Sequence, residues 1–414
     1  MSLVRIKSVV RNIVEKADGE PRPFIGLEDV ESGTGRLLVG DLPLKAADDS
    51  LLHQPSDVLF SKLRPYLAKS YCPREPGTAT GELLVLRPGT EVDRRFLLYV
   101  TLSNAWIEWA NTTAYGTKMP RTSWELMAEY RTWLPPLEEQ RRIAEFLDAE
   151  TACIDKFVSV LTKELRLFAE RRSAGVAHLV AGGDTTERRP SKLEWLTNVP
   201  AHWEEVRLGL VSRMGSGHTP SRNKPEWWVD CTIPWVTTGE VSQLRNDRIE
   251  DLVDTREKIS EIGLANSAAE LHPKGTVFLC RTAASAGYSG VMGLDMATSQ
   301  DIVTWTCGPR LNPYYLLWCL RAMRPDLLGR LAMGSTHKTI YVPDLQMLRV
   351  PLPPMNEQLR IVDAIRKQNR RLDTLVDKVT RQRELLAERR QALITAAVTG
   401  EFDVSAASGR GIEE

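Results

Sequence analysis

Asn312-Pro313-Tyr314-Tyr315 is the stretch of this 414-residue chain that comes nearest to spelling out a reaction. An Asn/Asp-Pro-Pro-Tyr/Phe tetrad can hold an adenine amino group through its side-chain amide and a backbone carbonyl. Here the second proline is missing, no glycine-rich cofactor loop precedes it, and Leu316 to Met323 reads as a helix. A helix start is therefore expected, and no catalytic role. Gly215-Ser216-Gly217-His218-Thr219-Pro220-Ser221-Arg222 is a small polar loop that lacks the Gly-Lys-Ser/Thr ending of a P-loop. The histidines (53, 178, 202, 218, 272, 337) and the six cysteines (72, 153, 231, 280, 307, 319) show no metal-ligand spacing. No metal site and no disulfide framework are expected, which suits a reducing, cytoplasmic setting. No Ser-His-Asp or paired-carboxylate pattern is legible.

The elements that must position the remaining polar groups occur twice. Leu134-Pro135-Pro136-Leu137-Glu138-Glu139-Gln140-Arg141-Arg142-Ile143 returns as Leu352-Pro353-Pro354-Met355-Asn356-Glu357-Gln358-Leu359-Arg360-Ile361. The match continues without a gap to Gly182 and Gly400, a constant offset of 218 residues, with about a third of positions identical. Prolines and acidic residues open each copy, and a glycine closes it, as in a helix. Leu147, Ile154, Leu161 and Phe168 recur every seventh residue, as do Ile365, Leu372, Val379 and Leu386. Ile143, Phe157 and Leu165 widen the first stripe; Ile361, Leu375 and Val376 widen the second. This period predicts a coiled-coil seam. Helices of about 60 Å need such a partner to persist in water. An antiparallel pair is expected, because a two-fold relation between the halves would then put one globular domain at each end. The polar interruptions also align, Glu150 with Gln368 and Glu164 with Gln382.

The predicted order is a globular domain at 1–133, a helix at 134–182, a polar linker at 183–190, a second globular domain at 191–351, a helix at 352–404 and a frayed tail at 405–414. Residues 57–65 and 82–86 read as strands, and Phe96 to Trp109 as helix. The second domain replays the first at low similarity: Pro234 to Val241 stands where Phe24 to Val30 stood, Thr276 to Arg281 where Val58 to Leu63 stood, and Gly334-Ser335 where Gly116-Thr117 stood. The fold class is α/β (α+β), with two globular domains joined by two long helices and an internal pseudo-two-fold duplication. No run is long and apolar enough for a membrane span, and no signal peptide is legible. With 54 basic and 54 acidic residues the formal charge is zero, so electrostatics alone would not suggest a nucleic-acid ligand.

The paired Leu-Pro-Pro-x-x-(Asn/Glu)-Gln openings and the start of the second domain, Trp203-x-x-Val206-x-Leu208, resemble the specificity subunit of type I restriction–modification systems. Gly215-x-Gly217-x-Thr219-Pro220-Ser221, Ile233-Pro234-Trp235-Val236-x-Thr238-Gly239 and Ser299-Gln300 are similar to that family's target-recognition domain. The resemblance covers nearly the whole chain, although the first domain lacks the Gly-x-Thr-Pro turn. It implies a non-catalytic subunit with two target-recognition domains that each read half of a bipartite, asymmetric site on double-stranded DNA, and with helices that hold the halves at a set spacing. It also implies two methyltransferase subunits as partners and, where present, two restriction/translocase subunits. No cofactor is expected on this chain: S-adenosylmethionine would sit on the methyltransferase, and ATP and Mg on a restriction subunit.

On that reading the contact candidates are Lys62, Arg64, Lys69, Lys118 and Arg121 in the first domain. In the second they are Thr219, Ser221, Arg222, Arg281, Ser299, Gln300, His337 and Lys338. Arg, Lys and Gln can read base edges, and hydroxyls suit phosphates. The Gly215–Arg222 loop is equally readable as an ordinary turn. Glu139, Gln140, Arg142, Glu357, Gln358 and Arg360 are expected as exposed polar residues near the helix starts, serving either helix capping or methyltransferase docking. The alternatives are a stand-alone adenine-N6 methyltransferase and a coiled-coil protein-interaction scaffold.

Overall fold

The computed structural model describes residues 3–46, 49–333 and 339–404. Gly334-Ser335, His337, Lys338 and the expected tail 405–414 lie outside the described residues. The chain forms two compact units, one of residues 1–163 with 380–414 and one of residues 164–379.

In the first unit, Val10–Ile13, Leu83–Pro88, Val58–Ser61 and Ser70–Tyr71 lie side by side in an antiparallel sheet. Val58, Leu59, Phe60 and Leu83 to Leu86 are buried on both faces, which is why these runs are continuously apolar. A second sheet joins Arg22–Ile25 to Gly77–Ala79 in parallel, with Phe24 opposite Thr78. Helices Arg94–Leu102 and Asn104–Thr112 cover the first sheet. The single helix expected from Phe96 to Trp109 is thus two. Ser103 breaks it: its backbone is extended, and its hydroxyl accepts from the Trp106 amide to cap the second helix.

The second unit repeats this plan. Ser212–Ser216, Ile302–Cys307, Val277–Cys280, Ser289–Met292 and Asp251–Leu252 form its main sheet. Ile233–Val236 pairs in parallel with Ala297–Thr298, Trp235 opposite Ala297. Pro313–Ala322 covers the main sheet. Part of the polar linker is ordered, since Arg188–Pro190 pairs with Asn198–Pro200.

The long helices run from Leu137 to Val180 and from Met355 to Thr399. Gly182 (φ 99°) and Gly400 (φ 79°) follow as left-handed stops. In the first unit the start of the first helix packs against the end of the second: Ile143, Ala144 and Leu147 share a core with Ile394, Ala397 and Val398 and with Phe96 and Trp106 of the domain. Farther along, Asp155 meets the buried Arg390 at 3.1 Å. In the second unit the pairing is the converse, with Val176 and Val180 in one core with Val362, Ile365, Tyr315 and Trp318. Arg172 bonds Asp373 there, and Gly175 lies against Gln368. Rising numbers on one helix meet falling numbers on the other within each unit, so the helices pair antiparallel.

The stripes serve the partner helix and the domain together, and this corrects their extent. Leu147, Ile154, Ile365, Leu372 and Val379 are buried, whereas Leu161, Phe168 and Leu386 are half-buried. Phe157 and Leu375, expected to widen the stripes, are 58% and 42% exposed. At these positions neither a domain nor the partner helix covers the apolar edge.

Candidate nucleic-acid interface

The first-domain candidates converge. The turn after Val58–Ser61 is held to the segment 113–122 by backbone bonds from Arg64 N to Pro120 O (2.8 Å) and from Thr122 N to Lys62 O (3.0 Å). Tyr115 and Arg121 close that segment by bonding each other's backbones. Lys62, Arg64, Lys118 and Arg121 therefore share one region, but their charges are not equally free. Arg121 forks onto Glu82 (2.8 and 3.1 Å), and that hydrogen-bonded carboxylate raises its pKa. Lys69 Nζ donates to the Leu27 carbonyl at 2.5 Å. Among the described residues Lys62, Arg64 and Lys118 have no ion-pair or side-chain hydrogen-bond partner. Tyr66, Tyr115 and Met119, not singled out from the sequence, stand 53%, 62% and 49% exposed on the same two segments.

In the second domain Thr219 Oγ1 donates to Gln300 Oε1 (2.7 Å), and Arg281 Nε donates to the Gln300 carbonyl (2.9 Å). The loop root is close-packed: a Cβ on Gly217 would sit 1.9 Å from the Thr298 carbonyl oxygen, which accepts from His218 N. Farther along, the Arg222 guanidinium lies 3.9 Å from the Trp228 ring and pairs with Glu257 at 2.7 Å. Ser221 is exposed, and its carbonyl accepts from the Trp228 indole. Ser299 is a correction. It is 3% exposed, with its amide on the Val236 carbonyl, because it follows the buried strand Ala297–Thr298.

The helix starts hold a second correction. Gln140 and Gln358, expected to be exposed, are fully buried. Gln140 Oε1 accepts from Asp93 N (2.8 Å), and its Nε2 donates to the Glu91 and Pro135 carbonyls (2.9 and 2.8 Å). Gln358 does the same with Asn312 N (2.8 Å) and the Arg310 and Pro353 carbonyls (2.9 Å each). Arg142 and Arg360 are exposed and Glu139 half-buried. Glu357 accepts from the Trp203 indole and bonds His202 (2.9 and 3.1 Å), tying it to its own domain. Burial pushes its pKa up, but these two bonds outweigh burial and leave it lowered.

Asn312 caps the helix Pro313–Ala322, its side-chain oxygen accepting from the amides of Tyr314 (2.9 Å) and Tyr315 (3.1 Å). The oxygen that a methyltransferase tetrad would turn towards an adenine is occupied by a helix end. No helix among the described residues is long and apolar enough to cross a membrane.

Residues 200–380 match the family model for the type I restriction modification DNA specificity domain. The chain is 20% identical to a putative type I restriction enzyme MjaX specificity subunit of Methanocaldococcus jannaschii, across 78% of this chain and 71% of that one. It is 21% identical to the EcoBI specificity subunit of Escherichia coli, across 92% and 80%. A solved chain from work on complex assembly and conformational transition of the type I R-M system superposes with a TM-score of 0.76 at 18% identity, covering 97% of this chain and 98% of that one. Residues 200–380 thus match a DNA specificity domain, and the chain is similar over most of its length to type I restriction–modification specificity subunits in sequence and to a type I R-M chain in fold.

Proposed function

We propose that each globular domain reads one half of a bipartite, asymmetric site on double-stranded DNA, and that the two long helices set the spacing between the halves. The observation that carries this reading is the duplication itself. Two domains of similar sheet plan present different side chains, while the helix starts are secured by matching glutamine contacts. Lys62, Arg64 and Lys118 in the first domain, and Thr219, Gln300 and Arg281 in the second, supply base-edge and phosphate contacts. Two methyltransferase subunits carrying S-adenosylmethionine dock on the chain in the cytoplasm and perform the chemistry. Exposed Arg142 and Arg360 suit that docking; the buried glutamines do not. Restriction/translocase subunits using ATP and Mg join the same assembly.

A helix of 44 residues is about 66 Å long at 1.5 Å per residue, enough to span half-sites about one DNA turn, or about 34–36 Å, apart. Removing a whole heptad from one helix tests the ruler. Methylome sequencing of cells making the variant with its methyltransferase should show both half-sites intact and a changed spacer. An unchanged spacer refutes the ruler.

A further inference from the structure

The turn that follows the central strand carries two left-handed residues at the same spacing in both units. Arg64 (φ 49°) and Ala68 (φ 48°) are left-handed in the first, and Ala283 (φ 56°) and Gly287 (φ 83°) are left-handed in the second. Each pair is separated by the same number of residues and accompanies a 3-10 turn: Pro65–Leu67 lies between Arg64 and Ala68, whereas Ala283–Ser285 begins at the left-handed Ala283 itself. Three of these four residues carry a Cβ, which the left-handed region disfavours. The local sequences, Arg64-Pro65-Tyr66-Leu67-Ala68 and Ala283-Ala284-Ser285-Ala286-Gly287, are identical at no matching position, so residue preference does not maintain the spacing.

Long-range backbone bonds do maintain it. Lys62 N donates to Glu82 O and Lys62 O accepts from Thr122 N (2.9 and 3.0 Å); Arg281 N donates to Asp301 O and Arg281 O accepts from Ile340 N (2.9 and 2.8 Å). A basic residue thus enters each turn at the same place, while the tips differ. The first tip shows the unpaired Arg64 and the exposed Tyr66, beside unpaired Lys62 and Lys118 and exposed Tyr115. The second tip shows only the small Ala284. A kept frame with exchanged side chains is what two readers of unlike half-sites require. Strain held by distant contacts is a recurrent mark of functional segments.

We infer that the left-handed turn Arg64–Ala68 is the base-reading element of the first domain, with Arg64 and Tyr66 its specificity-determining side chains. The inference rests on the proposed DNA-reading function. Arg64 supplies paired donors to a guanine edge, and Tyr66 supplies a flat apolar face beside it. The turn holds both without the flexibility of an open loop.

The test uses the full chain co-produced with its methyltransferase, with methylome sequencing for the motif and a thermal melt for the fold. Arg64→Gly relieves the strained backbone while removing the guanidinium, so the melting temperature should hold or rise. Discrimination at one position of a single half-site should fall roughly ten- to a hundredfold, with the other half and the spacer unchanged. Tyr66→Ala should lower methylation of the native site roughly tenfold at an unchanged melting temperature, and Tyr66→Phe should restore it. An unaltered motif and rate in both Arg64→Gly and Tyr66→Ala overturns the assignment. So does an Arg64→Gly variant that loses rate uniformly at every site with the motif kept, which would mark Arg64 as a phosphate contact alone. A wild-type complex that methylates no bipartite motif would instead overturn the proposed function.

Discussion

Gln140 and Gln358 stand at the same point of the two long helices, and each bonds one amide and two carbonyls of its own domain and helix start. Both are fully buried, so the amide side chain serves as an internal connector in place of water. Each ties the loop that precedes the covering helix of its domain, at Asp93 or Asn312, to the proline pair that begins the long helix. Domain and helix are thereby joined within each unit.

Removing either connector strands one buried and two part-buried backbone hydrogen bonds. A stranded group costs at most about 1–3 kcal/mol, so Gln140→Ala and Gln358→Ala should each lower unfolding stability by about 2–4 kcal/mol. Glu139→Ala, at a half-buried neighbouring position, should change it by less than about 0.5 kcal/mol. Urea denaturation of the three variants decides this, and equal midpoints would refute the connector.

The helix seam should be strong where it is covered and silent where it is not. Leu147→Ala and Ile365→Ala remove side chains with no exposed surface and should cost about 2–5 kcal/mol each. Phe157→Ala and Leu375→Ala, at exposed positions, should stay within about 0.5 kcal/mol of wild type. Denaturant midpoints of the four variants check the boundary.

His53 and His272 occupy matching positions, His53 in a strand opposite Gly77 and His272 in an isolated bridge opposite Met296. Burial pushes the His53 imidazole down to about 4, with the Asp57 charge and the Thr78 backbone pulling partly back; burial also lowers His272. Between about pH 6.5 and 4 the unfolded ring binds a proton that the folded ring resists, so stability falls as pH falls. The slope is at most about 1.4 kcal/mol per pH unit for each ring. Glu205 adds loss in the same direction only below about 4.5: burial raises its pKa, but bonds from Ser191, Arg189 and the Lys192 amide outweigh that and leave it lowered. The window from 6.5 to 4.5 therefore isolates the histidines. His53→Leu should flatten the pH dependence of the urea midpoint there, and an unchanged slope would count against a neutral buried ring.

Gly217 has no room for a Cβ, since the obstacle at 1.9 Å is the Thr298 backbone oxygen and not a movable side chain. Gly217→Ala should therefore cost about 1–3 kcal/mol and displace Thr219 from Gln300. Gly209→Ala, with nothing within 4 Å, should be near neutral. Thermal melts, with DNA mobility shifts at stated salt, separate the two.

The duplication, the helices and their antiparallel pairing, and the kinship with specificity subunits were legible in the residues alone. A seven-residue apolar period and a repeated Pro-Pro…Gln opening are local patterns, and helix geometry follows from local spacing. The Asn312 helix cap was legible for the same reason, because a cap lies within three residues of what it bonds. Burial was a different matter. Whether Gln140 faces solvent depends on Asp93 and Glu91, and whether Arg121 is a free cation depends on Glu82, partners that only the fold brings near. The extent of the seam, the burial of Ser299 and the twin left-handed turns were likewise decided by contacts distant along the chain. A side chain's type and spacing carry its chemistry, but its freedom to use that chemistry is set by what the tertiary structure packs against it.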